Sequence, residues 1–325
     1  MIQDPESGGL SPFNFHQLDK LIPEVKQLDA QVDSISFKEP IDSSNVNQSH
    51  WKKLAHYIEE HYDLYDGFVI LHGSDTMSYT ASALSFIFNN LSKPVILTGS
   101  QLPIGVVRTD GKENIITAIE IASDYEDDRP IVPEVAIYFE YQLHRGNRTY
   151  KFNAEHFDAF RSPNYPILAE AGVRIMYNRE YIFRPSHEPF SIDTRLNNKI
   201  AILSLFPGIS RHIVEAALNI PENELVVMRT YGSGNAMTDR WFLDALEGAI
   251  ERGLIIINVS QCRGGGVLQG RYITSYELAK IGVIPAGDMI LEAAVAKSMH
   301  LLGKELRGGN FKSAFMQNLK GEITV

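Results

Sequence analysis

Two short segments carry the residue types needed to act on a small polar molecule. The first is His72-Gly73-Ser74-Asp75-Thr76-Met77, which follows the apolar run at 67–71. The second is Gly99-Ser100-Gln101-Leu102-Pro103, which follows the run at 94–98. Both runs are continuous and rich in β-branched residues, the pattern of a strand buried on both faces of a parallel sheet. Open parallel sheets bind ligands at the carboxyl ends of their strands. Ser74, Asp75, Ser100 and Gln101 thus fall on one rim. Hydrolysis of an amide by a hydroxyl needs a nucleophile, a group that moves its proton and donors for the oxyanion. The same residues also suit a plainer role, because Gly-Ser-Asp after a strand is a frequent tight turn and helix cap.

Other signals are weaker. The 10 histidines show no HExxH or paired spacing, so metal catalysis is not expected. Gly264-Gly265-Gly266 lacks the lysine of a phosphate loop, and Gly232-Ser233-Gly234-Asn235 lacks the G-x-G-x-x-G spacing. Asp288 and Glu292 lie one turn apart, where the charge preference of a helix N-terminus accounts for them. The single cysteine, Cys262, cannot form an internal disulfide, which points to a reducing, cytoplasmic setting. A net charge of −10 with no dense Lys/Arg run argues against nucleic-acid or anionic-membrane partners. The polar start carries no signal-peptide core, and no run of about 18 apolar residues marks a membrane span.

The elements that must position these residues follow from periodicity. Residues 2–13 read as a loop, 15–28 as a short helix and 32–37 as a modest strand. A helix is expected after Ser49 as N-cap, with Trp51, Leu54 and Ile58 on one stripe. Strands are expected at 67–72, 94–99 and 135–139, with helices at 77–89 and 111–123 between them. After polar, Pro-containing sequence the alternation resumes, with strands at 199–206, 225–230 and 254–260 and helices from Ser210, from Asp239 and near Asp288. Such alternation implies parallel sheets covered by helices. The fold class is therefore α/β: a larger, flavodoxin-like N-terminal domain at 1–185 with a parallel-rich sheet, a linker at 186–198, and a smaller C-terminal α/β domain at 199–325.

Five segments in collinear order carry a resemblance. HGSDTM, TGSQLP, RTDGKENI, PIDSSN and LHRGNRTYKFNAEHFDAFRSPNY resemble the substrate loops and lysine-bearing stretch of the L-asparaginase family, in its cytoplasmic, type I branch. TYGSGNA and NVSQCRGGGV in the second half are similar to it as well. The resemblance implies hydrolysis of L-asparagine to L-aspartate and ammonia through a hydroxyl nucleophile, without cofactor, in a homodimer or homotetramer. It assigns Ser74, Asp75 and Lys151 to catalysis. Asp75 would hold the substrate ammonium, Ser43 its carboxylate with Ser44 beside that loop, and the Ser100–Gln101 backbone its side-chain amide. By residue type alone Lys151 is a solvated surface lysine. A lysine at the reference pKa of about 10.4 is mostly protonated at neutral pH, so it accepts a proton only transiently or else orients Asp75 and the hydroxyls.

Three departures stand out. Ser74 occupies a position where the family usually has Thr, so the methyl that restricts χ1 is missing. The stretch matching the family's mobile lid offers Leu10 and Phe13 and no tyrosine. The family's first strand ends in Thr-Gly-Gly-Thr-Ile, and Met1 fits immediately after that motif. The expectation is that the reading frame extends upstream by one strand of about 5–10 residues with that nucleophile turn. The alternatives are a catalytically inactive amino-acid-binding or regulatory homologue and a sister amidohydrolase such as a glutaminase-asparaginase.

Overall fold

The computed structural model describes residues 2–3, 10–11, 22–184, 187–269 and 273–324. Its internal contacts divide the chain into two units, Met1–Asp193 and Thr194–Val325, a division that falls within the polar stretch at 186–198.

The first unit is built on helix α1 (Gln48–His61), strand β1 (Phe68–Leu71), α2 (Met77–Ile87), β2 (Val95–Thr98), α3 (Gly111–Ser123), β3 (Val135–Phe139), β4 (Gln142–Arg145), β5 (Ala169–Ala171) and β6 (Ile175–Tyr177). The sheet order is β6-β5-β4-β3-β2-β1. β1, β2 and β3 are parallel, with Leu71 opposite Thr98 and Leu97 opposite Ile137. Every residue of β2 and β3 is buried, which explains why their sequences run apolar without alternation. α2 is buried on nearly all sides, with Tyr79 its one half-exposed residue, so it too lacks a polar face.

The structure corrects several expectations. The cap of α1 is Asn47, not Ser49: its side chain accepts from the Ser49 N–H at 2.9 Å, and His50 Nδ1 accepts from the Asn47 N–H at 3.1 Å. Leu54 is only half-buried, and Ala55 completes the stripe with Trp51 and Ile58. α2 stops at Ile87, where Phe88–Asn89 turns into a short strand paired with Ser191–Ile192. Of the helix expected over 15–28, residues 15–21 lie outside the described ones, and the remainder forms the 3-10 turn Pro23–Gln27. Residues 32–37 form no strand; Val32 and Ile35 are exposed, and no described neighbour supplies a ladder there. The expected loop at 2–13 contains a two-residue antiparallel pairing, Ile2–Gln3 with Leu10–Ser11. Strands β4, β5 and β6 extend the parallel sheet in antiparallel fashion. β3 and β4 are joined by a tight two-residue turn, Glu140–Tyr141, with φ of 44° and 65°. Both signs match a type I′ hairpin, but neither residue is the Asn or Gly that announces one.

His144 on β4 is buried, and its Nδ1 has no hydrogen-bond partner. Burial, helped by the Arg161 cation, lowers its pKa from 6.5 to about 4. Between these values the unfolded chain binds a proton that the folded protein refuses, so stability falls as pH falls through this window. The difference amounts to on the order of 3 kcal/mol. Denaturant unfolding of the protein and of His144→Phe at pH 7 and pH 4.5 should show the smaller pH loss in the variant. Equal losses would remove His144 as a source of acid sensitivity.

The second unit comprises β7 (Ile200–Ser204), α4 (Arg211–Leu218), β8 (Leu225–Thr230), α5 (Arg240–Glu251), β9 (Ile255–Ser260), α6 (Ile273–Lys280), β10 (Ile284–Pro285), α7 (Leu291–Gly303) and α8 (Gly308–Met316). Its four strands are parallel in the order β7-β8-β9-β10. Val214, Phe242 and Leu246 pack on one face of the sheet, and Leu301, Phe311 and Phe315 on the other. The helix expected near Asp288 starts at Leu291, and α8 follows it and buries Phe311 and Phe315 one turn apart. No helix among the described residues is long and apolar enough to cross a membrane.

Candidate active site

β1 and β2 end side by side and deliver their following loops to the same rim. The His72 N–H donates to the Thr98 carbonyl at 2.9 Å, so the ladder continues one residue past β1. Gly99 is required by this closeness: a Cβ there would lie 2.2 Å from the His72 carbonyl oxygen. Gly73 is required for another reason. A Cβ on it would meet the Ser43 Oγ at 2.6 Å, so the loop carrying Ser43 closes directly over it. Thr76 Oγ1 fastens that contact by donating to the Ser43 carbonyl at 2.7 Å.

Lys151 reaches the rim from a short hairpin, Tyr150–Lys151 paired with Phe160–Arg161. Its Nζ donates to Ser74 Oγ at 2.8 Å and to Asp75 Oδ1 at 2.7 Å. The Lys151 side chain is 18% exposed and that of Asp75 65%, so the pair has one sheltered end and one end open to solvent. Ser74 Oγ donates in turn to Gln101 Oε1 at 3.1 Å. A hydroxyl, an ammonium and a carboxylate are thus in direct contact.

The structure brings Ser74, Asp75, Lys151 and Gln101 together. Ser43 is buried against Gly73 in the same loop cluster. Ser44 turns its N–H to Asp42 at 2.8 Å and its hydroxyl to the same carboxylate. Ser100 faces the start of α3, where a Cβ at position 111 would lie 2.9 Å from its own Cβ.

Residue types alone did not single out the groups that hold this rim. The buried Asp110 carboxylate accepts the Gln101 N–H at 2.9 and 3.1 Å and the Leu102 N–H at 3.1 Å. Asn114, one turn further, donates to Asp110 Oδ2 at 3.3 Å and to the Gly99 carbonyl at 3.0 Å, and it accepts the Glu140 N–H at 3.0 Å. The i, i+4 spacing of Asp110 and Asn114 at the start of α3 was the available signal. Behind Ser74, His72 Nδ1 lies 2.7 Å from the Gly73 carbonyl, which accepts only, so Nδ1 carries the proton and Nε2 accepts from Thr80 at 2.8 Å. Trp51 Nε1 completes the chain by donating to Thr80 Oγ1 at 3.0 Å. Burial lowers the His72 pKa, opposed by its bond to the Gly73 carbonyl, which keeps the ring neutral. No cluster of potential metal ligands occurs among the described residues.

A hydroxyl and a carboxylate joined by one ammonium, at the carboxyl end of a parallel strand in an α/β protein, are groups suited to hydrolysis. Comparison with known proteins narrows that class. Residues 1–183 match the family model described as Asparaginase, N-terminal, and residues 199–315 that of the Glutaminase/Asparaginase C-terminal domain. The chain belongs to the asparaginase family. It is 43% identical over 284 residues to L-asparaginase 1 of Escherichia coli K12, covering 87% of this chain and 82% of that one. The crystal structure of L-asparaginase I from Vibrio cholerae superposes with a TM-score of 0.89 at 39% identity, covering 100% of this chain and 96% of that one. The thermostable L-asparaginase from Thermococcus kodakarensis superposes with a TM-score of 0.87 at 29% identity, covering 95% of this chain and 91% of that one. These relatives do not favour the reading as an inactive homologue.

Proposed function

We propose that the protein hydrolyses L-asparagine to L-aspartate and ammonia, with Ser74, Asp75 and Lys151 as its proton-handling set. The observation that carries this reading is the position of Lys151 Nζ, in hydrogen-bond contact with both the Ser74 hydroxyl and the Asp75 carboxylate. In the proposed reaction a hydroxyl oxygen bonds to the side-chain amide carbon, and the C–N bond breaks. The hydroxyl proton passes to the Ser74–Lys151–Asp75 set, in which the Lys151 ammonium gives a proton up as it takes one, and a proton from that set reaches the departing nitrogen, which leaves as ammonia. Water then cleaves the acyl ester, which releases aspartate and restores the hydroxyl.

Asp75 is the exposed acceptor for the substrate ammonium, and Ser43 lies in the loop proposed to hold its carboxylate. The Gln101 and Leu102 N–H groups are taken by Asp110. The rest of the Ser100–Gln101 backbone is the part of this loop proposed to contact the substrate amide. We further propose a homodimer or homotetramer in a cytoplasmic setting. Sedimentation showing only monomer at micromolar concentration would contradict the assembly.

Ammonia release from asparagine and from glutamine tests the substrate. No turnover of asparagine would sink the reading. In Ser43→Ala, KM should rise by roughly tenfold while kcat falls less than about threefold, because a carboxylate contact acts alike in ground and transition states. An unchanged KM would take Ser43 out of the site.

A further inference from the structure

The Ser74 hydroxyl is gripped from two sides by one hairpin. On one side Lys151, on the first strand of the 150–161 hairpin, donates to Ser74 Oγ at 2.8 Å. On the other, Gln101 Oε1 accepts from Ser74 Oγ at 3.1 Å, while Gln101 Nε2 donates to the His156 carbonyl at 3.0 Å. That carbonyl belongs to the tip of the same hairpin. The tip is itself held by Asn153, whose Oδ1 accepts the Glu155 and His156 N–H groups at 2.8 and 3.0 Å.

The direction of this chain is fixed by chemistry. A backbone carbonyl only accepts, so the Gln101 NH2 must face His156, and its oxygen must face Ser74. Lys151 as an ammonium only donates, so Ser74 accepts there and sends its own proton to Gln101. The main chain of Gln101 is separately pinned by the Asp110 carboxylate. Both ends of the Gln101 side chain are therefore held before the hydroxyl is engaged.

Serine has no β-branch, so its χ1 has three open staggered wells where threonine's is restricted. We infer that Gln101 is a positioning residue for Ser74, and that its doubly tethered carboxamide holds the serine hydroxyl in one rotamer, a task a β-branched residue at 74 performs with its own methyl. A carboxamide oxygen is too weak a base to keep the proton it accepts. It thus orients Ser74 without competing for the proton in the reaction. The inference rests on the reading of Ser74 as part of the asparagine-hydrolysing site.

The test places Gln101→Met, which keeps length and removes both hydrogen bonds, in the unsubstituted protein and in the Ser74→Thr protein. With serine at 74 the substitution should lower kcat by roughly tenfold, the scale of one lost hydrogen bond, and leave KM within about twofold. In the Ser74→Thr background the same substitution should cost less than about threefold. An equal loss in both backgrounds, or a loss expressed in KM, would overturn the inference, since a general packing role does not depend on the methyl at 74. Crystal structures of the two Gln101→Met proteins give a readout independent of turnover. Ser74 Oγ should spread over more than one rotamer, and the threonine of the Ser74→Thr protein should occupy one. A single Ser74 rotamer without Gln101 defeats the inference even in a protein that fails to hydrolyse asparagine, which would instead defeat the reading of the site.

Discussion

Lys151→Met should lower kcat for asparagine by at least about a hundredfold, and Asp75→Asn should do the same, the usual scale for a group that handles a proton in the transition state. Methionine keeps the length and bulk of the lysine stem but removes the donor that joins Ser74 Oγ to Asp75. Asparagine keeps the shape of Asp75 but removes its charge. The Asp75 end of the pair is largely solvent-exposed, and exposed ion pairs contribute little to folding. Both variants should therefore melt close to the unsubstituted protein, which separates a loss of chemistry from a loss of fold. Steady-state ammonia release alongside thermal unfolding decides the matter. Near-normal rates in both variants would dismiss the Ser74–Asp75–Lys151 assignment.

Glu322→Ala should destabilise the second unit by about 3–5 kcal/mol, the cost of leaving one member of a buried ion pair without its partner. The Lys297 and Glu322 side chains are both 0% exposed and in direct contact. Glu322 also accepts the Leu319 N–H at 3.1 Å and the Lys320 N–H at 2.6 Å, and Lys297 donates to the Gln317 carbonyl. The pair thus ties the segment after α8 to the middle of α7. Burial pushes the Lys297 ammonium below its ordinary pKa, opposed by the Glu322 charge, so the carboxylate is what keeps the ammonium charged there. Replacing both residues with apolar ones, as in Lys297→Met with Glu322→Leu, should recover most of the loss. A double-mutant cycle in denaturant measures this coupling. A Glu322→Ala cost below about 1 kcal/mol would mean that water reaches the ammonium.

The parallel strands were legible because burial on both faces writes an apolar run directly into the sequence. Thus 135–139 and 225–230 coincide with β3 and β8, and 111–123 with α3. The antiparallel extension was not legible. β5 and β6 are three residues each, too short for a period of two to declare itself, and the Glu140–Tyr141 turn is made by residues without a turn signature. Tertiary packing holds that turn instead, with Asn114 accepting the Glu140 N–H.

The sequence by itself determined which residues stand at the ends of β1 and β2, since a strand's end and the loop after it are local facts. It placed Ser74, Asp75, Ser100 and Gln101 on one rim, and by resemblance it named Lys151. Only the tertiary structure decided that Lys151, 76 residues beyond Asp75, lies 2.7 Å from it. It likewise decided that the Gln101 side chain joins Ser74 to the His156 carbonyl, and that Asp110 takes the N–H groups of the Gln101 loop. Those contacts join separate loops through one to three hydrogen bonds each. A hydrogen bond is a matter of a few tenths of an ångström and a donor's direction, which no periodicity of residue types encodes.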